Sequence, residues 1–377
     1  MKTLRKIIIG SLLFVVGCSS SSNSDFAVKY KGSVSSDLTP IDFKEESLDF
    51  VMEVSKQLLL ENKNSVYSPT TDYLCFLTAL LGNKNSDKTI KELGFDSFAE
   101  LEEVYPRYFE GLNYQSENTS IKSISSLALV DLANYNDDTL KTFADKYKIS
   151  SLLTSPSKVV KDVEEYYNKE IGLTIKLDDV LGNLEPGTLV ALSGLTLKDS
   201  FKEEKHEVNK PFTNLDGVTK DVKSLSDIGP VDYYKDDLIE ILKIEINSTD
   251  LYFITSDDID TIDLTNIDLS LLERVGARYT VPYFKAEGGF NTTPIYKPHF
   301  KDVPFMPDVR EGLGFDSSFQ KAIFEFDKNG VKGEAISGMM GVESAPYFDL
   351  LVNIDKPFYY ISTFQDTPLF VGKIVTL

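Results

Sequence analysis

The chain has 377 residues, with 39 Lys and Arg against 59 Asp and Glu, a formal charge of −20 and an isoelectric point near 4.6. Hydrophobic residues make up 42% and aromatics 11%, enough to bury a large core, which excludes a chain disordered throughout. The acidic balance excludes a basic nucleic-acid surface, and two cysteines exclude a disulfide framework. With His206 and His299 as the two histidines, a His-rich metal centre is excluded too, so neither a metal nor a cofactor is expected.

Residues 1–17 read as a bacterial secretion signal: Lys2, Arg5 and Lys6 precede an apolar run, Ile7 to Val16, that is too short to span a bilayer. The run ends in Val15-Val16-Gly17-Cys18, which resembles the lipobox of bacterial lipoproteins. That resemblance implies cleavage before Cys18, lipid on that cysteine, and an exported protein held at the outer membrane or cell surface. Several acyl chains on one residue anchor stably where one would not. Residues 18–40 read as a Ser-rich tether, most clearly in Ser19 to Asp25. If Cys18 is acylated, Cys75 is left as a free thiol, and its setting, Tyr73-Leu74-Cys75-Phe76-Leu77, marks a small buried hydrophobe rather than a nucleophile.

Residues 41–377 read as one unit, with no internal repeat visible. Apolar residues at helical spacing predict a helix over Phe43–Leu60. Asn64 to Pro69 is extended, and Thr70 or Thr71 is expected to cap a second helix, Asp72 to Leu81, ending near Gly82. Val159 to Ile171 predicts a third helix and Thr188 to Leu197 a buried strand. Short strands follow at Leu238–Ile246, Leu251–Thr255, Tyr279–Ala286, Ala322–Asp327, Leu350–Ile354 and Phe358–Phe364. Helices early and strands late predict an α+β fold rather than alternating βα units.

Signatures of catalysis are missing: no GxSxG, GxxxxGK[ST], GxGxxG after a strand or HExxH occurs. His206 lies in a charged stretch and His299 in a loop, so both read as ordinary histidines. Asp178-Asp179 and Asp257-Asp258 are adjacent in sequence and read as solvated turns rather than acid–base pairs. An enzyme is therefore not expected.

Residues 321–346, KAIFEFDKNGVKGEAISGMMGVESAP, carry a different mechanism. A strand ends at Asp327, and Asn329-Gly330 signals a turn. After it, Val331, Gly333, Ala335, Ser337 and Met339 alternate with Lys332 and Glu334 on the opposite parity. Period two gives one uncharged face that a sheet could bury and one that could meet water. Gly330, Gly333, Gly338 and Gly341 leave this backbone conformationally permissive, although Gly338 and Gly341 would weaken a strand.

The stretch KAIFEFDKNGVKGEA resembles the hinge of the serpin family. Asp355 to Ile361 (DKPFYYI) and Thr367 to Ile374 (TPLFVGKI) resemble the segments that follow the family's reactive loop. Asn64 to Thr71, Leu189 to Lys198 with Phe201, and Thr280 to Lys285 resemble further family strands, in family order over about residues 43–377. Departures are Ser193 for an expected Asn, Lys198-Asp199 for Lys-Gly, Phe201 for Trp and Val331 for Thr. The resemblance implies the serpin fold, with three β-sheets, surrounding helices and an exposed reactive loop at about 330–348.

It also implies a monomeric suicide inhibitor whose partner is a serine protease, trapped covalently as the cut loop enters the main sheet. Family spacing puts the scissile bond at Ser344–Ala345, with Val342 and Glu343 as alternative specificity residues. Small residues at the cut point to elastase-like or subtilisin-like proteases. The alternatives are a non-inhibitory serpin-fold binding protein and an inhibitor of papain-like cysteine proteases.

Overall fold

The computed structural model describes residues 27–32, 44–203, 205–301, 303–331 and 350–377. The signal sequence, Cys18, and the loop positions Gly333, Ala335, Ser337, Met339, Val342, Glu343, Ser344 and Ala345 lie outside the described residues.

Helices Glu45–Leu58, Pro69–Leu81 and Val159–Ile171 stand where helical spacing predicts them. The second starts earlier than expected, at Pro69, whose missing N–H costs nothing in a first turn. Neither threonine caps it: Thr71 meets the Ser68 hydroxyl at 2.8 Å, and Thr70 donates to the Pro368 carbonyl at 2.8 Å. Two further helices escape the apolar pattern. Phe98–Gly111 contains Pro106 yet is opened by a reciprocal cap, in which Ser97 Oγ accepts from the Glu100 N–H and the Glu100 carboxylate accepts from the Asp96 N–H. Asp137–Tyr147 is capped by Asn136.

The strands form two hydrogen-bonded networks among the described residues. The large sheet runs, in spatial order, Ala27–Tyr30, Ser150–Thr154, Thr119–Val130, Thr188–Ser200, Gly330–Val331, Phe319–Asp327 and Phe284–Asn291, with Tyr114–Gln115 on its third strand. Its first strand falls inside the segment expected as a tether. Ala27 and Val28 pair with Leu153 and Leu152, while Lys29 and Tyr30 both bond Asp137.

Three sheets are expected where two networks form, because one strand, Thr219–Lys235, joins two of them. It pairs with Glu273–Pro282 along ten residues and, at its last four, with Glu240–Glu245. The strand expected over Tyr279–Ala286 is two strands, Glu273–Pro282 and Phe284–Asn291, which break at Tyr283 and belong to different sheets.

An internal repeat does exist, although it is short. Asp258, Asp263 and Asp268 each open a 3₁₀ turn by accepting a backbone N–H two residues on. At this five-residue spacing Ile259 and Leu264 turn inward.

Aromatic rings knit the two sheets together. Phe284 and Phe324 of the large sheet meet Tyr360 of the second at centroid distances of 4.7 and 5.0 Å, and Phe326 meets Phe253 at 5.9 Å. Such pairs contribute about 0.5–1.5 kcal/mol each beyond area burial. Helix Pro69–Leu81, buried on nearly every side, runs beneath the large sheet. Helix Val159–Ile171 covers the outer face, packing Val163 and Tyr167 against Ile124, Ala128 and Leu192.

Gly372 reports how tight this core is, since a Cβ there would overlap the ring of the fully buried Tyr360. Gly372→Ala is expected to destabilise the fold by about 3 kcal/mol; an unchanged unfolding midpoint in guanidinium would contradict that packing.

Candidate functional site: a one-strand slot in the large sheet

The strands Thr188–Ser200 and Phe319–Asp327 lie side by side in the large sheet without pairing. Each pairs instead with the two residues Gly330 and Val331, which enter between them. Both are antiparallel to that insert, so they run parallel to each other. Below Val331 no ladder between the two strands is present among the described residues, and their facing edges line a cavity of about 1110 Å³.

The insert is set by the turn chemistry read from the sequence. The Asp327 carboxylate accepts from the Asn329 backbone and side-chain amides at 2.7 and 3.1 Å. Gly330 follows with φ of +116°, and a Cβ there would overlap the Asp199 carbonyl, so only glycine fits. Val331 then pairs with Phe326 on one side and Asp199 on the other, and its side chain is 1% exposed. The structure thus places the first two expected hinge residues in the sheet, with Val331 pointing into the core.

Asp199 stands where the resemblance expects glycine, and the departure carries a role that the sequence alone did not expose. Its buried carboxylate accepts from the Thr119 hydroxyl at 2.7 Å, from the Ser248 and Thr249 N–H groups at 3.0 and 2.8 Å, and from the Thr249 hydroxyl at 2.7 Å. This fan of donors around one carboxylate ties the top of the wall to a turn of the second sheet. Phe201 packs edge-on against Phe326, and its backbone N–H donates to the Asn329 carbonyl at 3.1 Å.

Helix Pro69–Leu81 forms the inner floor. Its Asp72 accepts from the Tyr67 hydroxyl at 2.6 Å and the Tyr296 hydroxyl at 2.5 Å. Burial outweighs both bonds and pushes the Asp72 carboxyl up to about 6. Cys75 lines the slot, and its thiol donates to the Ala191 carbonyl at 3.3 Å. Burial pushes that thiol up to about 12, so it stays protonated and unreactive, as its apolar context predicts.

The outer side is strapped. Tyr167 of the covering helix lies over Gly194, where a Cβ would come within 2.7 Å of the ring. Beyond that helix, Asp179 and the Lys176 carbonyl both bind Lys321 of the opposite wall, at 2.7 and 2.9 Å. Asp179 therefore holds a strap, and Asp257 pairs with Lys356 at 2.6 Å; neither takes part in an acid–base pair. His206 is exposed on the strand His206–Thr213, while His299 spends its ring on Phe50 and Phe76.

No family model and no curated protein matches the sequence. Solved structures do. The native state of Tengpin, a thermophilic serpin, superposes with a TM-score of 0.78 at 17% identity, covering 93% of this chain and all of that one. Human thyroxine-binding globulin complexed with thyroxine gives a TM-score of 0.75 at 14% identity over 88% and 97% of the two chains. Serpin48, a highly specific serpin of the insect Tenebrio molitor, gives 0.70 at 16% over 88% and 96%. The chain has the serpin fold.

The Asp72 carboxyl gives the slot floor a pH signature. A group raised from an ordinary 3.8 to about 6 favours folding fully below the lower value, and that contribution is lost as pH rises through the higher one. A shift of this size is worth about 2–3 kcal/mol. Asp72→Asn keeps an oxygen for both tyrosines, so the melting temperature of the variant relative to the parent is expected to climb between pH 4 and pH 7. A difference that stays flat with pH would refute the assignment.

Proposed function

We propose that the protein is a suicide inhibitor of serine proteases, elastase-like or subtilisin-like, held at a bacterial cell surface by lipid on Cys18. The observation that carries this reading is the slot one strand wide, unpaired among the described residues below Val331, with Gly330 and Val331 already paired to both walls at its mouth. The protease serine attacks the Ser344 carbonyl, the Ala345 amine leaves, and an ester links the enzyme to residue 344. The released strand then moves into the slot.

The gain on insertion comes from edges that are unpaired beforehand. Buried backbone N–H and C=O groups without partners are costly. Filling the slot pairs both edges, and on the order of ten hydrogen bonds at about 1 kcal/mol net each gives about 10 kcal/mol. The uninserted fold is then a state held by kinetics.

Register supports the length. Each step down an antiparallel ladder advances one residue on both strands, so with Val331 opposite Asp199, residue 342 meets Thr188, where that wall ends. Ser344 then lies just past the far end of the sheet. At about 3.3 Å per residue, the acylated residue travels on the order of 40 Å from the hinge. Parity supports the chemistry. On insertion, positions 333, 335, 337 and 339 would share the inward side of Val331 and carry no charge, whereas position 332 would take the opposite side, where Lys198 and Glu325 are exposed.

Incubation with elastase-like and subtilisin-like proteases is expected to give an SDS-resistant complex cut after Ser344, and loop cleavage is expected to raise the melting temperature sharply. Cleavage with neither result would favour a serpin-fold binding protein, and a complex formed only with papain-like enzymes would move the target to cysteine proteases. Ala335→Arg puts a charge on the inward side and is expected to turn the inhibitor into a substrate without altering the stability of the uncut protein. Inhibition that survives the substitution would contradict the burial argument, because an unpaired buried charge costs several kcal/mol.

A further inference from the structure

The floor of the cavity carries a carboxylate with one oxygen unused. Asp72 is 5% exposed and lines the space beneath the large sheet. The hydroxyls of Tyr67 and Tyr296 both donate to its Oδ2, at 2.6 and 2.5 Å. Among the described residues no donor reaches Oδ1, and no Lys, Arg or His pairs with the group. The titratable groups that face it are Tyr67 and Tyr296 from other elements and Cys75 from its own helix. Burial raises all three and holds them neutral, so the Asp72 charge has no counterpart in the floor.

A second acceptor lines the same cavity. Gln320 is 4% exposed, its amide nitrogen donates to the Lys321 carbonyl at 3.3 Å, and its Oε1 is buried without a partner. Buried polar atoms are nearly always satisfied, and the two left over here are both acceptors. What the cavity lacks is a donor. For a buried carboxylate with no opposite charge, the donor that restores balance is a cation.

The remaining lining says what carries that cation. Phe76 follows Asp72 by one helical turn and so shares its face of the helix. Its ring lies 4.8 Å from Tyr296 and 5.9 Å from Phe300, and Phe300 stacks on Phe315 at 4.9 Å. All four rings line the cavity, and aromatic faces attract an ammonium group as well as hydrocarbon. The volume of about 1110 Å³ stands at the upper end of the range for small-molecule sites.

We propose that the floor of this cavity is a binding site for a small organic ammonium, a primary amine on an apolar chain or ring, with the ammonium on Asp72 Oδ1 and the body against Phe76, Tyr296 and Phe300. The site needs neither strand insertion nor a protease, so it stands apart from the inhibitor reading. An alcohol of the same size would leave the Asp72 charge unanswered, and a carboxylate would add a second negative charge beside it.

The test compares three probes with one tail, octylammonium, octanol and octanoate, by titration calorimetry on the full-length protein. At pH 7 octylammonium is expected to bind one to one and about tenfold or more tighter than octanol, with octanoate weaker than either. Asp72→Asn keeps an oxygen for both tyrosines and is expected to bring the amine down to the affinity of the alcohol. The wild-type profile is a second readout that needs no variant. With Asp72 titrating at about 6, the amine is expected to lose about tenfold in affinity between pH 7 and pH 5, where the probe itself stays charged. Equal affinities for amine and alcohol in the wild type would overturn the site. So would a preference for the amine that survives Asp72→Asn, which would assign it to the acidic surface, or a pH profile that stays flat.

Discussion

The structure turns on two neighbouring strands of one sheet that do not bond each other. Backbone amides and carbonyls buried without partners are rarely tolerated, and here, below Val331, the facing edge of each strand has no partner strand among the described residues and lines a cavity. The walls are separable because each is bonded elsewhere. Thr188–Ser200 shares a twelve-residue ladder with Thr119–Val130, and Phe319–Asp327 an eight-residue ladder with Phe284–Asn291. Among the described residues the seam between the walls is closed only by Gly330 and Val331, so opening it further breaks no ladder between those residues.

What surrounds the seam keeps it in this condition. Asp199 fastens the top of one wall to the second sheet, and the rings of Phe324 and Phe326 fasten the other to Tyr360 and Phe253. The spacing at the mouth is thereby set at two strands, wide enough for one insert. On the outside, the bond from Lys321 to Asp179 crosses the seam without filling it. Below, helix Pro69–Leu81 supplies a floor that is already packed, so the cavity cannot collapse inward. On the reading proposed above, such a slot is where a strand would gain free energy by arriving.

Much of this was legible in the sequence. The hinge turn at Asp327 to Gly330, the inward direction of Val331 and the strand Thr188 onward follow from period two, from the Asn-Gly signal and from a positive φ that glycine alone accepts. The rest was hidden for physical reasons. The strand Thr119–Val130 is rich in serine and buried on both sides, so it shows neither a continuous apolar run nor alternation. Helix Phe98–Gly111 hides behind Pro106. Asp199 and Asp72 look like surface acids in a chain with so many, and only packing against partners such as Thr119 and Tyr296, distant in sequence, reveals them as buried.

Gly338 tests how far the register reasoning extends, because glycine weakens an isolated strand and counts against insertion when judged by propensity. Position matters more than propensity here. If the ladder set by Val331 were continued by insertion, residue 338 would face outward, opposite Leu192 and Phe319. Both of those side chains already pack into the cluster under helix Val159–Ile171. Any Cβ added between them would compete with a filled layer, just as one at Gly194 would meet Tyr167. A glycine at 338 would let an inserted strand pass beneath that helix. On the insertion reading, the residue that looks like a flaw in a free strand would then be the one this slot accommodates best.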